Sequence, residues 1–142
     1  DKDFQLDIFQ AGAGTPFHMN TNEILANRAN EILGGKKGTY EFVHPNNHVN
    51  MSQSSNDVIP TAIRLTMLLL EPSLIKSGKN LINALQKNSK EFKKILKTGR
   101  THLQDAVPVT LGQEFGSFAA ALSKDLKEVE SAMKNLQELG IG

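Results

Sequence analysis

The sequence predicts an all-α fold: long antiparallel helices of a central bundle, preceded by a short helix and loops. Three observations carry that prediction. Leu111, Phe115, Phe118, Leu122, Leu126, Val129, Met133 and Leu136 advance in steps of three and four, which lays apolar side chains along one helix face. Leu74, Leu81, Leu85, Phe92 and Leu96 recur at multiples near the half-heptad, a second seam of the same kind. Residues 18–35, HMNTNEILANRANEILGG, carry helix punctuation at both ends.

Taken in order, residues 1–19 have no clear period and contain a glycine-spaced turn, QAGAGTPF (10–17). In the helix that follows, Asn20 is the expected N-cap, Glu23 completes a capping box, and Gly34-Gly35 is the stop. Residues 36–55 read as a loop with a short extended piece at Tyr40–Val43. The first long helix is expected to start at Asn56 as cap, with Asp57 in its first turn and Pro60 where N–H groups still lack partners. Pro72 should kink or split it near Leu70–Glu71. The last helix has Lys124/Glu128, Glu130/Lys134 and Lys134/Glu138 as i,i+4 pairs on its outer face. Two such helices joined by a polar loop at 97–110 make an αα-hairpin, which is too few to close a bundle. Self-association is the expected remedy.

At 142 residues the chain is one-domain sized, long enough for a core. A net charge of +1 gives no global field to attract nucleic acid or an anionic membrane. With no cysteine there is no disulfide or thiolate metal site, which fits a cytoplasmic protein without requiring one. The longest uncharged apolar run, Leu65–Leu70, is far shorter than a membrane span, and the front shows no signal-type stretch. No membrane partner is expected. The chain opens on Asp1 and closes on Gly140-Ile141-Gly142, ends expected of a piece of something longer.

Three polar clusters interrupt the apolar pattern. Gly12-Ala13-Gly14-Thr15 is either a plain turn or a place where backbone and a threonine hydroxyl approach a ligand. Ser52-Gln53-Ser54-Ser55-Asn56-Asp57 stands before a helix that needs only one cap, so its surplus hydroxyls and amides can also serve a small carboxylate at the positive helix end. In GRTHLQDAVPVT (99–110), Gln104 and Asp105 can satisfy loop backbone, whereas His102 can act as acid, base or polariser. His44 and His48 in HPNNH are separated by a proline and two asparagines, which make a turn and argue against zinc; no metal or other cofactor is expected. The cations from Lys87 to Arg100 lack interleaved aromatics and read as a solvated helix face.

Together and in this order, QAGAGTPFHMNTNEILANRA, HPNNHVNMSQSSNDVIPTA and GRTHLQDAVPVTLGQEF resemble three successive blocks of the class II fumarase and aspartase family. The resemblance spans essentially the whole chain. It implies an all-α homotetramer with a central helical bundle and active sites assembled from three subunits. Residues 1–55 would then be the end of an N-terminal domain, and 56–142 the first two long helices of the bundle domain. The implied reaction is reversible β-elimination from a four-carbon dicarboxylic acid, giving fumarate plus ammonia or water. Deprotonation beside a carboxylate forms a carbanion that spreads onto the carboxylate oxygens, where fixed donors stabilise it. By the family pattern Thr15, Ser54, Ser55 and Asn56 would bind substrate, as would Thr101 and His102 from a neighbouring subunit. His102 is the catalytic candidate, polarising a carboxylate rather than abstracting the proton. His44, Pro45, Asn46 and Asn47 resemble a second, peripheral dicarboxylate site.

Two departures matter. The family's catalytic serine loop, with its lysine and asparagine clamp, has no counterpart in these residues, so a chain of this extent should lack the base. Pro16-Phe17-His18 replaces the small polar residues and asparagine usual there. The Ala13-containing glycine turn and Asn47-His48-Val49-Asn50-Met51 are aspartase-like, and Ser54-Ser55-Asn56 is fumarase-like. Aspartate ammonia-lyase is the expectation. Fumarate hydratase and a non-catalytic, self-associating helical piece are the alternatives.

Overall fold

The computed structural model describes residues 2–140; Asp1, Ile141 and Gly142 lie outside the described residues. Its elements are α1 (Thr15–Ile32), a π-helical turn (Pro45–Val49), α2 (Ser55–Glu91), β1 (Leu96–Thr101), β2 (Gln104–Thr110) and α3 (Leu111–Asn135). The chain is therefore mostly helical, as its apolar periods require, with one two-stranded antiparallel sheet. It divides into two compact units, residues 2–65 with Leu139 and Gly140, and Thr66–Glu138.

In the first unit α1 starts earlier than the Asn20 cap predicts. Gly14 is its N-cap, in the left-handed region at φ 72°, with no side-chain capping bond. Pro16 follows in the first turn, where its fixed φ suits a helix and its missing N–H costs nothing. The Asn20–Glu23 capping box does not form; Asn20 lies within the helix and donates to the Asp3 carbonyl at 3.3 Å. The stop is as expected. Gly34, at φ 89°, donates to the Glu31 carbonyl and Gly35 to that of Asn30, the bond pair of a Schellman ending.

The buried stripe of α1 is mostly polar: His18, Asn22, Ala26 and Asn30, each four residues apart. Asn30 explains why Tyr40–Val43 forms no strand. Its side chain takes the backbone N–H groups of Phe42 and Val43 and the Val43 carbonyl, groups a strand would have spent on a ladder. Tyr40 meanwhile sits at φ 51°.

α2 begins at Ser55 and is capped by Ser54, not Asn56: Ser54 Oγ accepts from the Asn56 N–H at 3.2 Å, and its carbonyl accepts from Asp57 and Val58. The helix continues through Pro60 and Pro72 to Glu91 instead of splitting. Both prolines are exposed, so water can serve the carbonyl that each leaves without a helical donor. α2 also corrects the reading of its apolar content. An 18-residue stretch of it has mean hydropathy 1.5 and no buried share, so by length and composition alone it is long and apolar enough to cross a membrane. A bare helix of this kind equally suits an interface between subunits.

In the second unit α2 packs on α3, and only part of the predicted seam of α2 takes part. Ile82 and Leu126 are buried, and a Cβ on Gly78 would stand 2.8 Å from Leu126 Cδ1. Further along, Ser89 Oγ donates to the Gly112 carbonyl at 2.7 Å, and a Cβ on Gly116 would stand 2.9 Å from that hydroxyl. Small residues thus let the helices approach. Gly78, Ile82 and Ser89 face α3, while Leu81 stays 52% exposed and Leu74 50%. Phe92 and Leu96 fall beyond the helix end, though Phe92 still meets Phe115 with ring centroids 5.5 Å apart. Glu130 turns to Lys79 of α2 at 3.1 Å rather than along its own helix.

The polar loop expected at 97–110 is a β-hairpin. Leu96 pairs with Thr110 and Thr101 with Gln104, with a bulge opposite Gly99, where a side chain would meet the Val107 carbonyl. β2 runs directly into α3 through a capping box: Thr110 Oγ1 accepts from the Gln113 N–H at 3.1 Å, and Gln113 Oε1 from the Thr110 N–H at 2.8 Å. Lys97 clasps both carboxylate oxygens of Glu114 at 2.8 and 2.9 Å, tying β1 to the first turn of α3.

Candidate active site

Four of the candidate residues, Thr15, Ser54, Ser55 and Asn56, lie in the first unit where the first turns of α1 and α2 meet. Two contacts establish the meeting. His18 Nδ1 lies 2.7 Å from Ser55 Oγ, and a Cβ on Gly14 would stand 2.9 Å from Ile59 Cγ1. Gly14 is thus required twice, for its positive φ and for the space it leaves. Two helix N-termini converge, each with backbone N–H groups that no helical carbonyl serves. Their partial positive charges add, and uncharged Thr15, Ser54 and Asn56 are exposed around them. Such a place suits a small anion, with no lysine or arginine to form a tight, slow-leaving ion pair.

Thr101 and His102 lie in the second unit, at the exposed tip of the hairpin. His102 and Leu103 are the two-residue turn, both left-handed at φ 45° and 61°. Positive φ at both central residues is the signature of a type I′ hairpin turn, a place for asparagine and glycine. Histidine and leucine there cost of order 1–3 kcal/mol each, strain that clusters at functional sites. Asp105 does not satisfy loop backbone but pairs with Arg100 across the strands at 3.0 Å. Both members are well exposed, so the pair orders the tip more than it stabilises the fold.

The stretch His44-Pro45-Asn46-Asn47 caps and opens the π-helical turn. His44 Nδ1 accepts from the backbone N–H groups of Asn46 and Asn47 at 3.1 and 3.3 Å, and His48 Nδ1 accepts from the His44 N–H at 2.8 Å. Both rings therefore carry their neutral-state proton on Nε2. Those two asparagine N–H groups are already used, which leaves the exposed amide side chains and the ring Nε2–H groups as the donors for any ligand. No cluster of three metal-ligating side chains occurs among the described residues.

A groove of about 370 Å³ in the first unit, bordered by Asp3, Asn20, Asn27, Arg28 and Glu31, includes none of the candidate residues. Its charges largely serve one another, with Glu31 paired to Arg28 at 3.3 Å and to Lys37 at 3.7 Å.

The residue that sequence reasoning undervalued is His18. It is noticeable in the sequence only as a departure from a familiar pattern; its burial and its bond to Ser55 come from the stripe it shares with Asn22, Ala26 and Asn30.

A family model described as "Lyase" matches residues 1–142. An aspartate ammonia-lyase of Bacillus subtilis is 47% identical over 139 residues, covering 98% of this chain and 29% of that protein. A class II fumarate hydratase of Bradyrhizobium diazoefficiens is 49% identical over 143 residues, covering 100% of this chain and 30% of that protein. Among solved structures, a fumarate lyase:delta crystallin of Brucella melitensis in native form superposes with a TM-score of 0.84 at 48% identity, over 99% of this chain and 33% of that one. The chain thus spans about a third or less of the length of these relatives.

Proposed function

The chain belongs to the lyase family that holds class II fumarases and aspartate ammonia-lyases, and from that membership we propose that it serves β-elimination of ammonia from L-aspartate to give fumarate. The carrying observation is the convergence of two helix N-termini at Gly14–His18 and Ser55–Ile59, where the neutral Thr15, Ser54, Ser55 and Asn56 stand beside Asp57 of the first turn of α2. Thr15, Ser54, Ser55 and Asn56 hold the carboxylates of the substrate there. A base abstracts the proton on the carbon beside one carboxylate, and the electron pair passes onto that carboxylate's oxygens. It then returns to form the double bond as the carbon–nitrogen bond breaks and ammonia leaves. Thr101 and His102 of a neighbouring subunit donate to the carboxylate whose charge grows, stabilisation of the kind that speeds reactions most. The base and the clamp lie in the part of the relatives' length that this chain does not span.

Aspartate rather than malate is the reading favoured by Ala13 in the glycine turn and by Asn47–Met51. In a protein of the relatives' full length carrying this chain, fumarate should form faster from L-aspartate than from L-malate, followed by ultraviolet absorbance. Preference for malate would make fumarate hydratase the function.

A second reading, a self-associating helical piece without turnover of its own, has a specific observation in its favour. Leu69 is 80% exposed and Leu70 61%, with Leu74 and Leu81 exposed along the same helix. At about 25 cal/mol per Å² of apolar area, covering such a face outweighs leaving it wet. Homotetramer formation is the assembly proposed for the full-length protein. Light scattering on the 142-residue chain should give a multiple of the 15.6 kDa chain mass. A well-folded monomer at micromolar concentration would overturn the proposed interface.

A further inference from the structure

We propose that His18 is a positioning residue that holds the Ser55 hydroxyl so that its proton points to one carboxylate of a four-carbon dicarboxylate ligand. The inference rests on the reading of Ser55 as a ligand-binding residue. His18 is only 4% exposed and belongs to the buried stripe of α1, yet it reaches across to another helix. Its Nδ1 stands 2.7 Å from Ser55 Oγ, a short, direct bond. Two locks keep the ring there. Pro16 fixes the first turn of α1, and Gly14, with no side chain, lets Ile59 bring the first turn of α2 close against it.

A serine hydroxyl has one proton and rotates to suit its surroundings. If Nδ1 accepts that proton, Ser55 offers a ligand only lone pairs. If Nδ1–H donates to Oγ, the serine proton is left for the ligand. The place decides between the two. Ser55 is the first residue of α2, at a positive helix end that favours an anion, and an anion needs donors. The donating arrangement gives a relay, Nδ1–H to Oγ–H to carboxylate, in which each bond polarises the next. His18 thus makes Ser55 a directed donor for small carboxylates.

The test is a double-mutant cycle in a protein of the relatives' full length carrying this chain, with succinate as the probe and calorimetric Kd as the readout. Thermal unfolding and particle mass are followed in parallel. Ser55→Ala should weaken succinate roughly 10- to 100-fold, the range for a hydrogen bond to a charged group. His18→Leu should weaken it about tenfold, and add less than about twofold in the Ser55→Ala background, because it acts only through that hydroxyl. His18→Asn places an amide N–H near the Nδ1 position and should bind within about twofold of the parent; His18→Gln, whose amide reaches the Nε2 position instead, should not. His18→Gln also serves as the loss variant should His18→Leu fail to fold. If Ser55→Ala leaves Kd unchanged, the reading of the site fails. If Ser55→Ala weakens binding while the His18 variants do not, or cost as much again in its background, His18 is structural only and the inference fails while the site stands. Equal losses in His18→Asn and His18→Gln overturn it as well.

Discussion

His102→Asn is expected to lower turnover roughly a hundred- to a thousandfold in the full-length protein, the scale for removing one donor aimed at developing charge. Asparagine is the fitting replacement because His102 occupies a left-handed position at φ 45°, which asparagine tolerates better than most residues. The hairpin should therefore keep its shape. Its other supports are untouched: Arg100 with Asp105 near the tip, Lys97 with Glu114 at the base, and the Thr110–Gln113 capping box. The imidazole is exposed and contributes to no core, so particle mass and circular dichroism should be those of the parent. Steady-state rates of fumarate formation, compared with light scattering on the same samples, check the expectation. A variant that dissociates while its remaining assemblies turn over at the parental rate would assign His102 a structural role.

The contrast between that tip and the helices shows what the sequence discloses. The apolar steps from Leu111 to Leu136 foretell α3 closely, because a periodic face needs no knowledge of its partner. The seam of α2 is read only in part: Phe92 meets α3, but Leu74 and Leu81 stay exposed, and the small Gly78 and Ser89 are what α3 approaches. Helix ends move for a similar reason. Several residues near each start can cap, and tertiary contact selects Gly14 over Asn20 and Ser54 over Asn56. The capping box Thr110-Leu111-Gly112-Gln113 is legible as a motif. The hairpin itself is hidden because its turn holds histidine and leucine where asparagine and glycine would announce it. Thr15, Ser54, Ser55 and Asn56 are legible as a surplus of polar groups, but that two helix ends meet there depends on His18 and Gly14, whose partners lie some 40 residues on in the chain.

The largest effect on stability is expected from Asn30→Asp, a change of one heavy atom. Asn30 is 0% exposed. Its amide nitrogen donates to the carbonyls of Ala26 and Val43 at 2.8 and 2.7 Å, and its oxygen accepts from the N–H groups of Phe42 and Val43 at 2.8 and 3.2 Å. Both donors and both acceptor sites are therefore used, which is all a carboxamide has. Aspartate keeps the shape but places an oxygen against two carbonyl oxygens at those same distances. Ionised, it is a buried charge without a cation; protonated, it supplies one donor where two are needed. Either way the cost is about 3–5 kcal/mol, the range for an uncompensated buried charge or a broken buried network. The damage should begin where Asn30 holds the loop, since Val43 leads directly into His44 and the π-helical turn. Hydrogen exchange at the Phe42 and Val43 amides should accelerate strongly in the variant, and the urea midpoint should fall with it. Unchanged protection at those two amides would mean that the loop is held by something other than Asn30, and that the polar stripe of α1 is tolerated rather than required.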